Sequence, residues 1–528
     1  MIIIAYIIVS FVLIMALFGI KFSNKSGIPS LLLFIFFGMS FNLFGYDFNN
    51  FEFIESLSSI ALVVIMFYGG FGTRWSMAKP VFKEASVLSF FGVIITALLT
   101  GLFIHYVLGF SLLEGMLIGS IVGSTDYASV SNVLRSKNLN LKYNTAPLLE
   151  VESGSNDPTA FTLTFVFISL LKGEKINVGF FLLKQVLIGL LIGLIFSYIT
   201  YKIIEKLDFN DDGLLTIFII AIVTFTFSFT NLISGNGYLA IYVLGICIGN
   251  QFYKGKREVI FFFDGLTNIM EIGLFFLLGL LSNPKMIVEN LLTSFFVAIF
   301  LMVIARPIAV YIFMKLFKKP LNQIAVVSFA GLRGAAAIAF AIMAINQGLA
   351  LESDVFHIVF GVCLISSLVQ GFLLPAFSKK MDMIDPNDTV LNTFNYYMDK
   401  TPIGFIKFKV EKSTNLINKK VKDLNLSFNV IVAKIIRDNK TIIPKGDTSF
   451  EENDIIIIGG ESYFGDSNHD LKEFTVGPFH SWKGKKIKEL DISKDILIVM
   501  LQDSEGNVVA PNGETLIKGG EKIITLEK

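Results

Sequence analysis

Cysteine is almost absent from this sequence, with 2 residues in 528, and charged residues are scarce at 16%. Cys247 and Cys363 both lie in apolar stretches, and they do not have the spacing of a metal site or of a disulfide framework. The formal net charge of +1 provides no basic excess of the kind that a nucleic-acid partner requires. These shortages exclude a disulfide-rich scaffold, a cysteine-based metal protein and a nucleic-acid-binding protein.

Hydrophobic residues are abundant instead. They form 53% of the chain, and the mean hydropathy of +0.68 is too high for a soluble enzyme of this length, which indicates a multi-pass membrane protein. Apolar stretches of roughly 17 to 25 residues can cross a bilayer as helices. Thirteen such stretches lie near residues 2–20, 28–44, 54–73, 86–109, 112–134, 145–171, 177–201, 213–230, 236–250, 258–282, 290–314, 321–347 and 355–377. The first has no basic segment and no small-residue cleavage site, so we interpret it as a retained span.

Basic residues in the connecting loops predict the orientation, because cytoplasmic loops hold most of the Lys and Arg. Alternate loops carry Lys21, Lys25, Arg74, Lys79, Lys83, Arg135, Lys137, Lys142, Lys202, Lys206, Lys254, Lys256, Arg257, Lys315, Lys318, Lys319, Lys379 and Lys380. The opposite loops carry only Lys172, Lys175 and Lys285. We therefore expect a bacterial cytoplasmic membrane protein whose N-terminus is outside and whose C-terminal region is cytoplasmic.

The C-terminal region differs in composition and repeats itself. After about residue 380 the chain has mixed charge and short strand-like runs such as VIVAKII and DIIIIGG. The segment NKKVKDLNL resembles GKKIKELDI further on, so that Lys420 corresponds to Lys486. We predict a membrane domain over 1–380, a linker over 381–404, and two small α/β modules over 405–465 and 466–528.

Carboxylates inside the apolar stretches are the first candidates for function, because each costs about 3 kcal/mol at the bilayer centre. Asp126 lies in GSIVGSTDYASVSNV, where small and hydroxyl residues permit a broken helix whose freed backbone groups can serve an ion. Glu152 and Asp157 lie in ESGSNDPTAF. Ser153 and Asp157 share a helix face, whereas Glu152 lies about 140° away from Asp157, so the two acids have different roles.

We predict that Asp157, next to Asn156 and facing Asp126, exchanges a proton for a monovalent cation. Glu152 is expected to pair with a buried arginine. The alternatives are structural. Asp126 could be a satisfied hydrogen-bond acceptor in a helix contact, and Glu152 and Asp157 could both merely pair with arginines inside the bundle.

Two arginines lie well inside apolar stretches, and each needs a buried partner because it stays charged. We expect Glu152 to pair with Arg306 and Glu271 to pair with Arg333. The run GLRGAAAIAF makes the twelfth stretch the second candidate for a broken helix. Two interrupted helices in the two halves of one bundle are typical of inverted-repeat transporters with a site near the membrane midplane.

The motifs STD, ESGSNDP and GLRGA, in this order, resemble those of the monovalent cation:proton antiporter-1 family of bacterial sodium or potassium/proton exchangers. The repeats in the tail resemble the RCK C-terminal (TrkA-C) regulatory modules. The resemblance implies an all-α membrane domain of about 13 helices and a homodimer. It also implies electroneutral exchange, because this chain has Asn156 at the position where electrogenic relatives have a second Asp. The implied ion site consists of Asp126, Asp157, Ser153 and the Thr125 backbone.

One residue departs from the family pattern. Many relatives carry an acid before the paired glycines of the third stretch, where this chain has Tyr68 in FYGG. Ion selectivity therefore does not follow from the resemblance, although the tail modules favour K⁺ over Na⁺.

We expect a secondary transporter rather than an enzyme, with no cofactor other than a regulatory cyclic dinucleotide or adenine nucleotide that the resemblance implies for the tail. The tail has no GxGxxG followed by an acid, which would mark a complete dinucleotide-binding unit. Two alternatives remain. A ligand-gated cation channel would need a filter such as TVGYG, which the sequence lacks. A transporter-like sensor would be expected to have lost the acids that are present at 126 and 157.

Overall fold

The structure is a computed structural model of the chain. It describes residues 2–26, 30–43, 50–137, 139–207, 212–251, 253, 255–349, 351–385, 403–410, 416–423, 430–437, 440–461, 470–476, 482–490, 496–502, 508–509, 513 and 515–527. The chain divides into two compact units, residues 1–399 and 400–528. The first unit is helical and the second consists of small sheets.

The first half of the helical unit runs from α1 to α9. Its helices are α1 (Ile2–Ser26), α2 (Ser30–Leu43), α3 (Phe51–Gly72), α4 (Trp75–Ala78), α5 (Phe82–Val87), α6 (Val93–Leu108), α7 (Leu112–Ile121), α8 (Tyr127–Ser136) and α9 (Thr145–Leu171). A π-helical turn, Leu88–Gly92, joins α5 to α6.

The second half runs from α10 to α19. Its helices are α10 (Val178–Lys206), α11 (Asp212–Leu232), α12 (Gly237–Gly249), α13 (Lys256–Leu281), α14 (Pro284–Glu289), α15 (Leu291–Phe300), α16 (Arg306–Leu316), α17 (Leu321–Phe329), α18 (Ala335–Asn346) and α19 (Val355–Lys380). A second π-helical turn, Leu301–Ala305, connects α15 to α16 and places Arg306 directly after it.

Every apolar stretch predicted from the sequence overlaps one of these helices or an interrupted pair of them. Within the described residues, 7 helices are long and apolar enough to cross a membrane. They are Phe51–Gly72, Trp75–Leu108, Val178–Lys206, Gly213–Leu232, Lys256–Leu281, Leu291–Leu316 and Val355–Lys380. Five shorter apolar helices accompany them, so the total of thirteen spans stays a prediction.

The helices form two groups that meet at a cavity. In the first group, α2 and α3 pack against α13, and α12 packs against α3 and α10. Glycines allow this close approach, since a Cβ on Gly249 would overlap the backbone of Phe71. In the second group, α7 packs against α6 and α9, and α19 packs against α15 and α18.

Two helices of the second group are interrupted. Residues 122–126 separate α7 from α8, and residues 330–334 separate α17 from α18. These are the two breaks that the glycine and serine runs predict. Each break frees backbone N–H and C=O groups in the middle of the helical unit, and these groups require partners.

The second unit contains two sheets with the same topology. The strands are β1 (Ile403–Lys409), β2 (Val430–Arg437), β3 (Lys440–Ile442), β4 (Ile455–Glu461), β5 (Asp470–Thr475), β6 (Ile496–Gln502), β7 (Val508–Val509) and β8 (Lys522–Glu527). They pair antiparallel in the orders β1-β4-β2-β3 and β5-β8-β6-β7. A bulge falls at the same place in both sheets, at Val432/Lys434 and at Ile498/Met500. The described part of each module has one 3₁₀ turn as its helical element, Val421–Asp423 or Ile487–Glu489.

Candidate ion-binding site

The two helix breaks cross each other and exchange hydrogen bonds. The backbone N–H of Asp126 donates to the carbonyl of Leu332 at 2.8 Å. In return, Nη1 of Arg333 donates to the carbonyls of Gly123 at 2.7 Å and of Ser124 at 2.6 Å. The arginine thus satisfies carbonyls that the end of α7 leaves free, and its charge compensates the negative end of that helix dipole.

Asp126 lies at the N-terminus of the next helix, α8, which is the electropositive end of that helix. Its carboxylate accepts hydrogen bonds from the hydroxyl of Ser129 at 2.5 Å and from the backbone N–H of Ser129 at 3.3 Å, so it acts as the N-cap of α8. A Cβ atom on Gly334 would overlap this carboxylate. Glycine at 334 therefore lets the second break approach Asp126 closely.

Helix α9 closes the site with two polar side chains. The Ser153 hydroxyl donates to the carbonyl of Thr125 at 2.7 Å and accepts from the N–H of Tyr127 at 2.9 Å, so it bridges the break. One turn further along α9, the carboxylate of Asp157 accepts a hydrogen bond from the hydroxyl of Ser124. Because a carbonyl or a hydroxyl has two lone pairs, Thr125 and Ser153 each keep one for an ion.

Glu152 and Asn156 face away from the cavity toward Arg306. The pair between Glu152 and Arg306 is bidentate, with N–O distances of 2.9 and 3.0 Å, and both side chains are buried. The amide of Asn156 donates to the Thr125 hydroxyl and, at 3.3 Å, to Glu152. This network joins α9 to α16, and through Thr125 it holds the break between α7 and α8 on the side away from the cavity.

The other expected pair is not formed. In the described residues, Arg333 donates to carbonyl oxygens rather than to Glu271, and Glu271 lies on α13 with its side chain at the cavity. The prediction for these two residues was wrong because the freed carbonyls of a broken helix can satisfy a buried guanidinium as well as a carboxylate can.

The cavity between the two helix groups has a volume of about 650 Å³. Asp126 and Asp157 both line it, and so do three further acids, Glu150, Asp264 and Glu271. No Lys or Arg is found among the described residues of its lining. A cavity that holds several carboxylates without a basic residue attracts cations.

Sequence reasoning missed several residues of this site, among them Glu150, Ser124 and Asp264. Ser124 stands next to the predicted Thr125 in the STD motif, but only the packed structure brings its hydroxyl to Asp157. Asp264, in the apolar tenth stretch, accepts a hydrogen bond from the Tyr68 hydroxyl at 3.0 Å. An ionisable residue inside an apolar span was the available signal for Asp264.

Two interrupted helices that cross beside a pair of carboxylates define a class of secondary transporters with an ion site at the midplane. The chain belongs to the transmembrane sodium/hydrogen exchanger family, whose model matches residues 11–380. A TrkA-C domain model matches residues 405–462.

Relatives agree with this assignment, and a solved structure shares the fold. The chain is 31% identical to the K(+)/H(+) antiporter NhaP2 of Shewanella baltica (strain OS223), over 83% of this chain and 78% of that protein. It is 28% identical to the K(+)/H(+) antiporter NhaP of Alkalimonas amylolytica, over 83% of this chain and 77% of that protein. The solved sodium proton antiporter MjNhaP1 from Methanocaldococcus jannaschii shares the fold, with a TM-score of 0.64 and 22% identity over 72% of this chain and 99% of that one.

Proposed function

We propose that this protein exchanges a monovalent cation, K⁺ in preference to Na⁺, for protons, and that the exchange is electroneutral. The observation that carries the proposal is the pair of carboxylates, Asp126 and Asp157, which face one acidic cavity beside the crossing helix breaks. The K⁺ assignment is supported by the names of the NhaP2 and NhaP relatives. Exchange of this kind moves ions without converting them into another compound, so in this proposal the protein acts as a transporter and not as an enzyme.

The mechanism requires only that proton and cation compete for the same oxygen atoms. A carboxylate that has released its proton offers oxygen ligands to a cation, and a protonated carboxylate offers much weaker ones. The loaded site moves between the two membrane faces, and the empty charged site does not. Under this rule a proton gradient drives cations in the opposite direction.

A second cavity of about 500 Å³ supports alternating access. Phe161 lies one turn beyond Asp157 on α9, and its ring contacts Tyr238 and Phe340 at centroid distances of 5.1 and 5.7 Å. These three aromatic residues line the second cavity. Rigid movement of the group that contains α7, α8, α9, α17 and α18 against the other group would open one cavity to the site and close the other.

The larger cavity faces the cytoplasm in this proposal. The loop before α9 lies beside the end of α19, where Lys142 pairs with Asp382 at 3.0 Å and Leu141 forms a β-bridge with Ile384. The basic loops predict that this face is cytoplasmic, and Glu150, near the beginning of α9, lines the cavity. We further propose that the protein lies in the bacterial cytoplasmic membrane with its N-terminus outside, as a homodimer surrounded by lipid.

The C-terminal modules regulate exchange in this proposal by binding a ligand more tightly in one transport state than in the other. The TrkA-C match over residues 405–462 supports a regulatory role. The ligand class is a cyclic dinucleotide or an adenine nucleotide. Deletion from about residue 400 onward is expected to preserve exchange and to remove its response to ligand.

The test is collapse of an imposed pH gradient in proteoliposomes, with K⁺ or Na⁺ added and with the voltage clamped or unclamped. The wild-type protein is expected to respond to K⁺ equally well with and without the clamp. Asp157→Asn is expected to abolish the response, and Asp382→Asn is the matched control because the side chain of Asp382 is 90% exposed.

The other outcomes separate the remaining functions. A response to Na⁺ alone would retain the mechanism and overturn the ion assignment. K⁺ flux without proton movement would indicate a channel. A wild-type protein that moves neither ion, but still binds a nucleotide at its tail, would indicate a sensor.

A further inference from the structure

Helix α13 presents a polar stripe to the large cavity. Asp264, Thr267, Asn268 and Glu271 all line the cavity, and their spacing of three, four and seven residues places them on one face of the helix. The rest of α13 is largely apolar. Polar groups on one face of an otherwise apolar helix inside a membrane domain indicate a path for ions.

Thr267 has an unusual hydroxyl. In the described residues its Oγ1 atom has no hydrogen-bond partner, although the residue is only 8% exposed. Several other buried threonines in this chain donate to the carbonyl four residues before them, as Thr162, Thr164 and Thr230 do at 2.6 to 2.8 Å. The Thr267 hydroxyl does not form this bond, so its oxygen is buried without a partner in a residue that lines the cavity.

Glu271 lies one turn after Thr267, and the described residues that line the cavity with it include no Lys or Arg. Asp126 and Asp264, both of them acidic, act on it electrostatically. Arg333, its expected partner, donates to the carbonyls of the helix break instead. A carboxylate in this position is balanced either by a proton or by a mobile cation.

Asp264 differs from Glu271 because it has a fixed partner. Its carboxylate accepts the hydrogen bond of the Tyr68 hydroxyl, which holds it against α3. On a helix, residues seven positions apart are about 10 Å apart along the axis, so Asp264 and Glu271 cannot bind one ion together. Thr267 and Glu271 are four positions apart and can.

We infer that Thr267 and Glu271 form a second position for a monovalent cation, separate from the exchange site and on the opposite wall of the cavity. The ligands are the Thr267 hydroxyl and the Glu271 carboxylate, with cavity water completing the oxygen shell that a hard cation prefers. Asp264 extends the path of negative charge from this position toward Tyr68.

The location of this position has a mechanistic consequence, which rests on the proposed exchange function. Helix α13 packs against α2 and α3, whereas Asp126 and Asp157 belong to the other helix group. When the group that carries Asp126 and Asp157 moves, the second position remains on α13 and does not move with it. It therefore holds a cation next to the exchange site in the state described here and raises the local cation concentration before transfer.

The experiment is equilibrium binding of ⁸⁶Rb⁺, as a stand-in for K⁺, to the purified full-length protein at alkaline pH. We expect two Rb⁺ ions per protomer in the wild type, one in Asp157→Asn, and none in Asp157→Asn/Glu271→Gln. Thr267→Val in the Asp157→Asn background is expected to weaken the remaining binding about tenfold, because one ligand is lost. Thr226→Val is the matched control, since the Thr226 hydroxyl is also buried without a partner in the described structure but does not line the cavity.

The outcomes distinguish failure of the second cation position from failure of the proposed exchange function. If wild-type protein exchanges K⁺ for protons but Asp157→Asn binds no Rb⁺, the second position is refuted and the proposed function stands. If Asp157→Asn retains one Rb⁺ that Glu271→Gln removes, while the wild type shows no exchange, the second position stands and the proposed function fails. Binding to Asp157→Asn that persists in both the Glu271→Gln and the Thr267→Val variants would also refute the second position. Size-exclusion profiles identify variants that do not fold, and Thr267→Val tests the second position independently of the folding of Glu271→Gln.

Discussion

The buried pair between Glu152 and Arg306 makes a quantitative prediction about stability. Its two N–O contacts of 2.9 and 3.0 Å join α9 to α16, and both residues are only 1% exposed. We consider three variants, namely Glu152→Gln, Arg306→Met and the two combined. Each single variant leaves one charge buried without its partner.

The magnitude follows from this burial. Removing one member of a buried ion pair costs about 3 to 5 kcal/mol, whereas replacing both members by neutral groups is close to neutral. Asn156 and Thr125 also contact Glu152, at 3.3 and 3.4 Å, but neither carries a charge that could replace the guanidinium. We therefore expect a coupling energy of at least about 2 kcal/mol between the two positions.

Thermal unfolding of the purified protein in detergent is the assay. Each single variant is expected to lower the Tm by roughly 5 to 10 °C, and the double variant is expected to recover most of that loss. Lys142→Met, which removes a partly exposed pair with Asp382, is the control and is expected to change little. Additive losses in the double variant, or single variants as stable as the wild type, would refute the assignment of this pair as the anchor of α9.

Two further predictions concern the helix crossing and the tail. Gly334→Ala is expected to reduce exchange at least about tenfold without loss of folded protein, because a Cβ at 334 would overlap Asp126. Gly265→Ala, with no atom within 4 Å of its added Cβ, should exchange normally, and equal activity in the two variants would contradict the close approach. In the first module, burial favours a higher pKa for Asp454, but the hydrogen bonds and charge of Arg437 outweigh burial and leave this pKa below its ordinary value. The stability that this pair contributes is thus present above about pH 4 and lost as the pH falls through the lowered pKa. Hydrogen exchange in β2 and β4 should show the loss in the wild type and not in Asp454→Asn, and identical acid profiles would contradict the prediction.

The sequence was sufficient to predict where the helices lie and where two of them break. Apolar stretches of membrane-spanning length leave little choice of secondary structure, since lipid forces the backbone to satisfy its own hydrogen bonds. The glycine and serine residues near 123 and 331 predict the interruptions, because small residues permit irregular backbone in a packed interior. The repeat in the tail likewise predicts two modules, and two sheets of the same strand order are present.

Side-chain partners between distant helices could not be predicted in the same way. Glu152 has Arg306 as its partner, as expected. Arg333 instead donates to the carbonyls of Gly123 and Ser124. The sequence does not identify these carbonyls as acceptors, because they become free only where the folded helix breaks. The contact between Tyr68 and Asp264 joins residues 196 positions apart. This contact depends on the packing of α3 against α13, and neither composition nor periodicity predicts which helices pack together.

The central claim is that a proton and a cation compete for the carboxylates of Asp126 and Asp157. The most direct test is the apparent KM for K⁺ in proteoliposomes, measured at several pH values on the acidic side of the activity profile. Competition predicts that KM rises by about tenfold for each pH unit of acidification while the maximal rate at saturating K⁺ is maintained. A KM that does not change with pH, with a maximal rate that falls instead, would show that protons and cations bind at separate sites and would contradict the account.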